Sequence, residues 1–206
     1  MAKQKSSAAK NIIVLFVVAL ISVSILAVLN EVTMEPIANA EQAARQEAYM
    51  AAYEGADEIA DLENAEALIE AYTPADESAN VKINAVLEAK KGGEKLGYVI
   101  DASSPNGYGG DVQIAVGISN EGEIVNLKVV SAASETPGLG ARSTEPEFQA
   151  QFSGLSALSP IAFSKTGANR DNNEFDAISG ATITTTAVTQ ALNEAVNLYN
   201  TALKGE

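Results

Sequence analysis

The stretch that decides the fold of this chain is Asp176-Ala177-Ile178-Ser179-Gly180-Ala181-Thr182. Apolar residues follow it at three- and four-residue spacing from Val188 to Leu203, which predicts one helix from Thr182 to about Leu203. The stretch therefore places a glycine and hydroxyl groups at the start of a helix. A helix N-terminus has unpaired N–H groups and a partial positive charge, which together favour a phosphate.

Two interpretations of Ser179-Gly180-Ala181-Thr182 are open from the motif alone. In the first, Gly180 lets the backbone approach a ligand closely, and Ser179 or Thr182 contacts a phosphate oxygen or Thr182 is esterified to it. In the second, a serine or threonine is an ordinary N-cap of the helix, a position where both residue types are favoured.

The composition excludes the catalytic and redox sites that depend on cysteine or histidine. The chain of 206 residues has no cysteine and no histidine. This excludes disulfides, cysteine-ligated iron–sulfur clusters and thiolate nucleophiles, and also an imidazole base or a Ser-His-Asp triad. A redox role would require an organic cofactor or an external metal, and we assign no catalytic residue and no metal ligand.

The charge is unevenly distributed along the chain. The net charge is -14, yet Lys3, Lys5 and Lys10 are the only charged residues among the first ten. The remainder holds 10 basic and 27 acidic residues, a net charge of -17. Such an acidic surface argues against nucleic acid as a partner, because phosphates would be repelled.

The chain has one predicted membrane anchor. Residues 12–29 contain no charge, and at about 1.5 Å per residue they span a bilayer core of roughly 30 Å. Ser22 and Ser24 are the only polar residues in this run, and a helix satisfies both by bonding to its own carbonyls. Lysines precede the run and glutamates follow it, so the N-terminus is expected in the cytoplasm and the rest outside. The alternative is a signal peptide cleaved after Ala38-Asn39-Ala40, but the apolar run is too long and ends too early for one.

Periodicity predicts an α+β domain with a mainly antiparallel sheet and flanking helices. Helices are predicted from Pro36 to near Gly55, around Asn64–Tyr72 and near Glu147–Phe152, with a surface loop at residues 166–174. Alternation predicts strands at residues 81–86, 95–102, 112–119 and 123–131, the last two joined in a hairpin.

Two further motifs are rich in glycine. In Glu135-Thr136-Pro137-Gly138-Leu139-Gly140, the Pro-Gly pair predicts a tight turn in which Gly138 has a positive φ. The exposed N–H groups of such a turn can bind the acceptors of a flat heterocycle, although a plain connecting turn has the same pattern. The stretch Asn106-Gly107-Tyr108-Gly109-Gly110-Asp111 allows close backbone approach beside an aromatic ring, but glycine-rich turns before strands are common.

The order of the three motifs resembles the FMN-binding domain family, over about residues 90–203. In that family FMN is joined by a phosphoester to the last threonine of Ser-Gly-Ala-Thr, which is Thr182 here. Together with the single anchor, the motifs resemble the G subunits of the Rnf ion-translocating ferredoxin:NAD oxidoreductase complexes. The C subunits of the sodium-translocating NADH:quinone reductases share the motifs and the anchor but are usually longer.

The resemblance implies a role for each motif residue. Thr182 is the attachment point, and Asp176 belongs to the sequence read by a flavin transferase, which takes FMN from FAD with magnesium. The phosphate end is shaped by Ser179, Gly180 and Ala181. The isoalloxazine is lined by Glu135, Thr136, Gly138, Leu139 and Gly140, with Tyr108, Gly109 and Gly110 nearby. Many relatives carry a histidine where this chain has Ala133, so no role of that histidine applies here.

The sequence therefore predicts a cytoplasmic N-terminus at residues 1–11, a transmembrane helix at 12–30, a helical stalk at 31–75 and an FMN-binding domain at 76–206. The resemblance implies an electron-transfer subunit in the cell membrane, with the other Rnf subunits, a flavin transferase and the lipid bilayer as partners. The alternatives are another flavinylated extracytoplasmic electron carrier and, from a different class, an anchored binding or scaffold module that has no redox role.

Overall fold

The computed structural model describes residues 2–205, with side chains for residues 9–205, and divides into two compact units, residues 1–44 and 45–206. Met1, at the start of the predicted cytoplasmic segment, lies outside the described residues. The predicted fold class, α+β with a mainly antiparallel sheet and flanking helices behind an apolar N-terminal helix, is confirmed.

The first unit consists of helix α1, which begins at Ala2 and continues into the second unit to end at Ala52. Among the described residues, this is the one helix long and apolar enough to cross a membrane. Its apolar side chains from Ile12 to Leu29 are exposed. As expected, the Ser22 and Ser24 hydroxyls donate to backbone carbonyls one turn earlier, at 2.9 and 2.8 Å.

The predicted helix start at Pro36 is wrong, because Pro36 lies inside α1. A proline in a helix removes one N–H and disturbs the carbonyl four residues earlier. Here Met34 and Glu35 precede the proline and a stretch rich in alanine follows it, all good helix formers, and the helix continues through the proline.

The second unit is built on a five-stranded antiparallel sheet in the order β1-β2-β3-β4-β5. All four predicted strands are present as β2 to β5. The strands are β1 Glu58–Asp61, β2 Lys82–Lys91, β3 Glu94–Ser104, β4 Val112–Ser119 and β5 Ile124–Ser131.

The remaining elements pack around this sheet. They are α2 Ala65–Ala71, α3 Pro146–Gln149, α4 Thr182–Leu198 with a final π-helical turn Tyr199–Leu203, and a parallel pair, β6 Ala162–Ser164 and β7 Glu174–Asp176. Helix α4 lies on one face of the sheet, where Ile100, Ile114 and Leu192 belong to the main hydrophobic core. This packing fixes the position of the N-terminus of α4 relative to the sheet.

The last turns of α1 cover the other face of the sheet. Ala52 and Tyr53 are buried there with Val99 and Ala115 in a second, smaller core. The Tyr49 hydroxyl donates to Asp101, which is fully buried, and the Tyr53 hydroxyl donates to a backbone carbonyl of β3 at 2.7 Å. The end of α1 is therefore part of the folded domain.

The segment expected to be a helical stalk differs from the prediction in two ways. The compact domain begins at Arg45 rather than at residue 76, and β1 forms the edge of the sheet within the expected stalk. Strand β1 has only four residues, too few to show a period of two, so its pairing with β2 was not visible in the sequence.

Candidate functional site

The three motifs meet at one pocket of about 440 Å³ at the N-terminus of α4. This volume lies in the range of small-molecule sites, about 300–1,000 Å³. The residues that line it are Tyr108, Glu135, Thr136, Leu139, Gly140, Gly180, Ala181, Thr182, Ile183 and Thr184. Of the thirteen residues predicted for the site, eight therefore lie together.

The loop after β5 forms one wall through the predicted turn. The N–H of Leu139 donates to the carbonyl of Thr136 at 3.1 Å, which closes a turn with Pro137 and Gly138 at its centre. Gly138 has φ +76°, as predicted, because a residue at the third position of this turn needs a positive φ. The turn leaves the Leu139 side chain 42% exposed beside the pocket.

The opposite wall is the start of α4, where Thr182 is the first helical residue. The N-cap position is held by Ala181, and no side chain caps the helix. The Thr182 hydroxyl is half-buried and makes no hydrogen bond within the part of the chain that the structure describes. The interpretation of Thr182 as an ordinary N-cap is therefore wrong.

The first turn of α4 also leaves backbone donors unused. The earliest N–H of the helix with an acceptor among the described residues is that of Thr185, which donates to the Ala181 carbonyl at 3.0 Å. The N–H groups of residues 182–184 precede it and border the pocket. Three free N–H groups and the positive end of the helix dipole form a site for an anion.

The turn before α4 is held by a residue that the sequence did not indicate. The buried Thr185 hydroxyl accepts from the Ile178 N–H at 3.2 Å and donates to the Ala181 carbonyl at 2.9 Å. Gly180, with φ +79°, makes the bend, and a Cβ there would lie 3.1 Å from a methyl group of Leu139. The two walls of the pocket therefore touch at Gly180 and Leu139.

Glu135 connects its own loop to the glycine-rich turn and to the first turn of α4. Its side chain is only 5% exposed, and its Oε2 accepts from the Thr184 hydroxyl at 2.7 Å. Its Oε1 accepts a longer bond, of 3.4 Å, from the Gly109 N–H. The sequence missed Thr184, because a contact between residues 49 positions apart leaves no local pattern.

The glycine-rich turn packs against the backbone that carries Glu135. A Cβ on Gly109 would lie 1.8 Å from the Ser134 carbonyl oxygen, so only glycine fits there. Tyr108, between two glycines, is 70% exposed at the pocket. Gly109 and Gly110 border this turn without lining the pocket, and Gly138 likewise lies outside the lining.

Asp176 and Ser179 do not line the pocket that Thr182 lines. Both line a separate, smaller groove, which Arg142 also lines. The Asp176 carboxylate accepts from the Ala168 N–H at 2.7 Å, which holds the loop between β6 and β7. The structure therefore does not bring these two predicted residues into the pocket.

Two segments of the chain match known protein families. Residues 107–197, which begin at the glycine-rich turn and contain the whole pocket, match the FMN-binding domain. This match covers the part of the chain from the glycine-rich turn through most of α4. Residues 1–51 match a second pattern, the RnfG N-terminal region.

Curated relatives of the chain are named as subunits of ion-translocating complexes. The chain is 36% identical over 115 residues to the G subunit of the Na(+)-translocating ferredoxin:NAD(+) oxidoreductase complex of Acetobacterium woodii, covering 56% of this chain and 55% of the relative. It is 42% identical over 113 residues to the G subunit of the ion-translocating oxidoreductase complex of Methanosarcina acetivorans, covering 55% and 56%. The match thus spans about half the length of these relatives.

Solved structures show the same fold. The C subunit of the Na(+)-translocating NADH-quinone reductase from Parabacteroides distasonis is 24% identical with a TM-score of 0.51, covering 59% of this chain and 63% of that one. NqrC from Shewanella oneidensis is 21% identical with a TM-score of 0.50, covering 63% and 65%.

The residues present fit the phosphate and the ring of FMN. The free N–H groups of residues 182–184 and the Thr182 hydroxyl suit the phosphate. The exposed side chains of Tyr108, Leu139 and Ile183 offer apolar surface for a flat ring at the same pocket. Ile183 was also missed in the sequence, since an apolar residue in the first turn of a helix resembles any core residue.

Proposed function

We propose that this chain is the electron-transfer subunit of a membrane-bound ion-translocating ferredoxin:NAD oxidoreductase and that it carries FMN as a phosphoester on Thr182. The observation that carries the proposal is the Thr182 hydroxyl, which has no hydrogen-bond partner among the described residues and lies at the pocket of an FMN-binding domain. The names of the relatives support membership of the complex.

In this proposal the chain binds and orients the flavin, which supplies reversible electron transfer when bound. The N–H groups at the start of α4 hold the phosphate, and the Leu139 side chain lies against the ring. A flavin fixed at one point can pass electrons between neighbouring redox centres without a diffusing substrate. This fits a sequence that has neither cysteine nor histidine to ligate a redox centre of its own.

Attachment requires a second protein, a flavin transferase that uses FAD and magnesium. The Thr182 Oγ1 forms a bond to the phosphorus of the FMN half of FAD, the bond between the two phosphates breaks, and AMP leaves. The hydroxyl proton passes to the transferase or to water. No electron is transferred in this step.

In this proposal the N-terminal helix anchors the domain to a membrane, which its apolar run supports. Lys3, Lys5 and Lys10 precede the apolar run and Glu31 and Glu35 follow it, which by the positive-inside rule puts the N-terminus in the cytoplasm. The flavin domain then lies on the outer side, and α1 is the surface that meets the other membrane subunits and the bilayer.

The free Thr182 hydroxyl also bears on the alternatives. In a scaffold module without a redox role, this threonine would be expected to cap the helix. The N-cap position is instead held by Ala181, and no side chain caps the helix. A flavinylated carrier of another complex, such as the sodium-translocating quinone reductase, would use the same pocket. The match of residues 1–51 to the RnfG N-terminal region favours the Rnf complex.

The test is in-gel flavin fluorescence after denaturing electrophoresis, on full-length protein produced together with a flavin transferase. The wild type is expected to give a fluorescent band and Thr182→Ala a dark one. Thr189→Ala, a half-buried threonine two turns further along α4, is the matched control and is expected to fluoresce. A dark wild-type band, or a fluorescent Thr182→Ala band, would refute the attachment.

A further inference from the structure

The buried carboxylate of Glu135 has an unusual environment. Its two oxygens occupy notches left by two glycines, since a Cβ on Gly107 would lie 2.6 Å from Oε1 and a Cβ on Gly140 would lie 2.0 Å from Oε2. The Thr184 hydroxyl and the Gly109 N–H are its hydrogen-bond donors. The carboxylate is therefore held in one place by three separate segments of the chain.

Within the described part of the chain, no cationic side chain forms an ion pair with this carboxylate. The ion pairs found among the described residues are Lys90–Glu88 and Arg142–Glu145, and neither includes Glu135. Neutral donors and the positive end of α4 are what stabilise it, through Thr184 in the first turn of the helix. Of the residues lining the pocket, Glu135 alone carries a carboxylate.

We propose that Glu135 is a positioning residue with an electrostatic role: it locks the loop at residues 135–140 to α4 and holds a fixed negative charge against the flavin pocket. A nearby negative charge disfavours adding an electron to the ring, because like charges repel more strongly away from water. Glu135 therefore keeps the midpoint potential of the flavin low. This inference rests on the proposed function, since it requires a bound flavin.

Two substitutions separate the charge from the positioning. Glu135→Gln removes the charge but keeps the shape and the ability to bond with the Thr184 hydroxyl. Thr184→Val keeps the charge and removes the bond that fixes the carboxylate, while Thr184→Ser retains a hydroxyl and should restore the wild-type behaviour.

Helix α4 provides a matched control. Glu194 is also buried, at 4% exposure, and takes part in no ion pair found in the described part of the chain. It accepts from the Tyr72 hydroxyl and from the N–H groups of Ala75 and Asp76, the last two at 3.0 and 2.9 Å. It lies ten residues after Thr184, roughly 15 Å along the helix, and outside the pocket. Glu194→Gln therefore removes a similar buried charge far from the flavin.

The experiment is a redox titration, followed by visible absorbance, of full-length flavinylated protein in detergent. We expect the midpoint potential of Glu135→Gln to shift to more positive values and that of Glu194→Gln to stay at the wild-type value. We expect Thr184→Val to have lower flavin occupancy per chain than Thr184→Ser, with occupancy read from the ratio of visible to peptide absorbance.

The outcomes distinguish this inference from the proposed function. A wild type without flavin overturns both. A flavin-loaded Glu135→Gln with the wild-type potential, or with the same shift as Glu194→Gln, overturns the electrostatic role alone. Should Glu135→Gln not take up flavin, the threonine pair decides the positioning role, and equal occupancy in Thr184→Val and Thr184→Ser would overturn it.

Discussion

Two glycines of the same loop are expected to respond differently to alanine. Gly140 has an ordinary φ, but its new Cβ would lie 2.0 Å from Glu135 Oε2 and 2.5 Å from the Thr184 hydroxyl oxygen. Gly138 has φ +76° and nothing within 4 Å of its Cβ position. Gly140→Ala therefore tests close packing, whereas Gly138→Ala tests backbone strain alone.

The magnitudes follow from these contacts. Overpacking at Gly140 costs about 1–3 kcal/mol, and displacing the hydrogen bond between Thr184 and the Glu135 carboxylate costs about 1.5–3 kcal/mol more. The lower entropy of the unfolded alanine chain offsets about 0.4–1 kcal/mol of this. We expect a loss of about 2–5 kcal/mol in the free energy of unfolding for Gly140→Ala, and about 1–2 kcal/mol for Gly138→Ala from the left-handed backbone.

The assay is urea unfolding of the two variants and the wild type in detergent, followed by circular dichroism. Gly140→Ala is also expected to lose flavin occupancy, because its loop is displaced from α4. If Gly138→Ala proved as destabilising as Gly140→Ala, or more so, the tight packing of Glu135 between the glycine notches would be refuted.

Three further results are expected. Thr182→Ala should keep the free energy of unfolding of the flavin-free protein within about 0.5 kcal/mol of the wild type by urea unfolding, because its hydroxyl caps nothing; a larger loss would show a hidden structural role. A chain starting at residue 45 should fold. A chain starting at residue 55 lacks Tyr49 and Tyr53, and its free energy of unfolding should be lower by at least about 4 kcal/mol in thermal unfolding. Equal stabilities of the two chains would contradict the packing of α1 on the sheet. Burial raises the pKa of Tyr53 to about 12, so the folded state favours the neutral phenol. The stability that this preference gives the folded state is complete below about pH 10 and should be lost as the pH rises towards 12. Urea midpoints that stay constant above pH 10 would contradict this.

The sequence predicted the sheet and the pocket well because both have local signals. Alternation located β2 to β5, and the Pro137-Gly138 pair correctly predicted the turn with its positive φ. Each of the three motifs has a distinctive composition, and the structure brings residues of all three to one pocket.

What the sequence missed depends on contacts between distant segments. The bond from Thr184 to Glu135 and the use of Asp176 to hold a neighbouring loop both join residues through the fold. The continuation of α1 through Pro36 also depends on good helix formers on both sides outweighing one lost hydrogen bond. The burial of Tyr53 on the sheet could not be distinguished from an exposed helical face, since the pattern does not say which surface covers it.

The most direct test of the central claim is mass spectrometry of the peptide that contains Thr182, prepared from full-length protein produced with a flavin transferase. We expect a peptide heavier by FMN less one water, with the added mass on Thr182 itself. An unmodified peptide from exported, transferase-exposed protein, or the added mass on another residue, would contradict the attachment of FMN at Thr182.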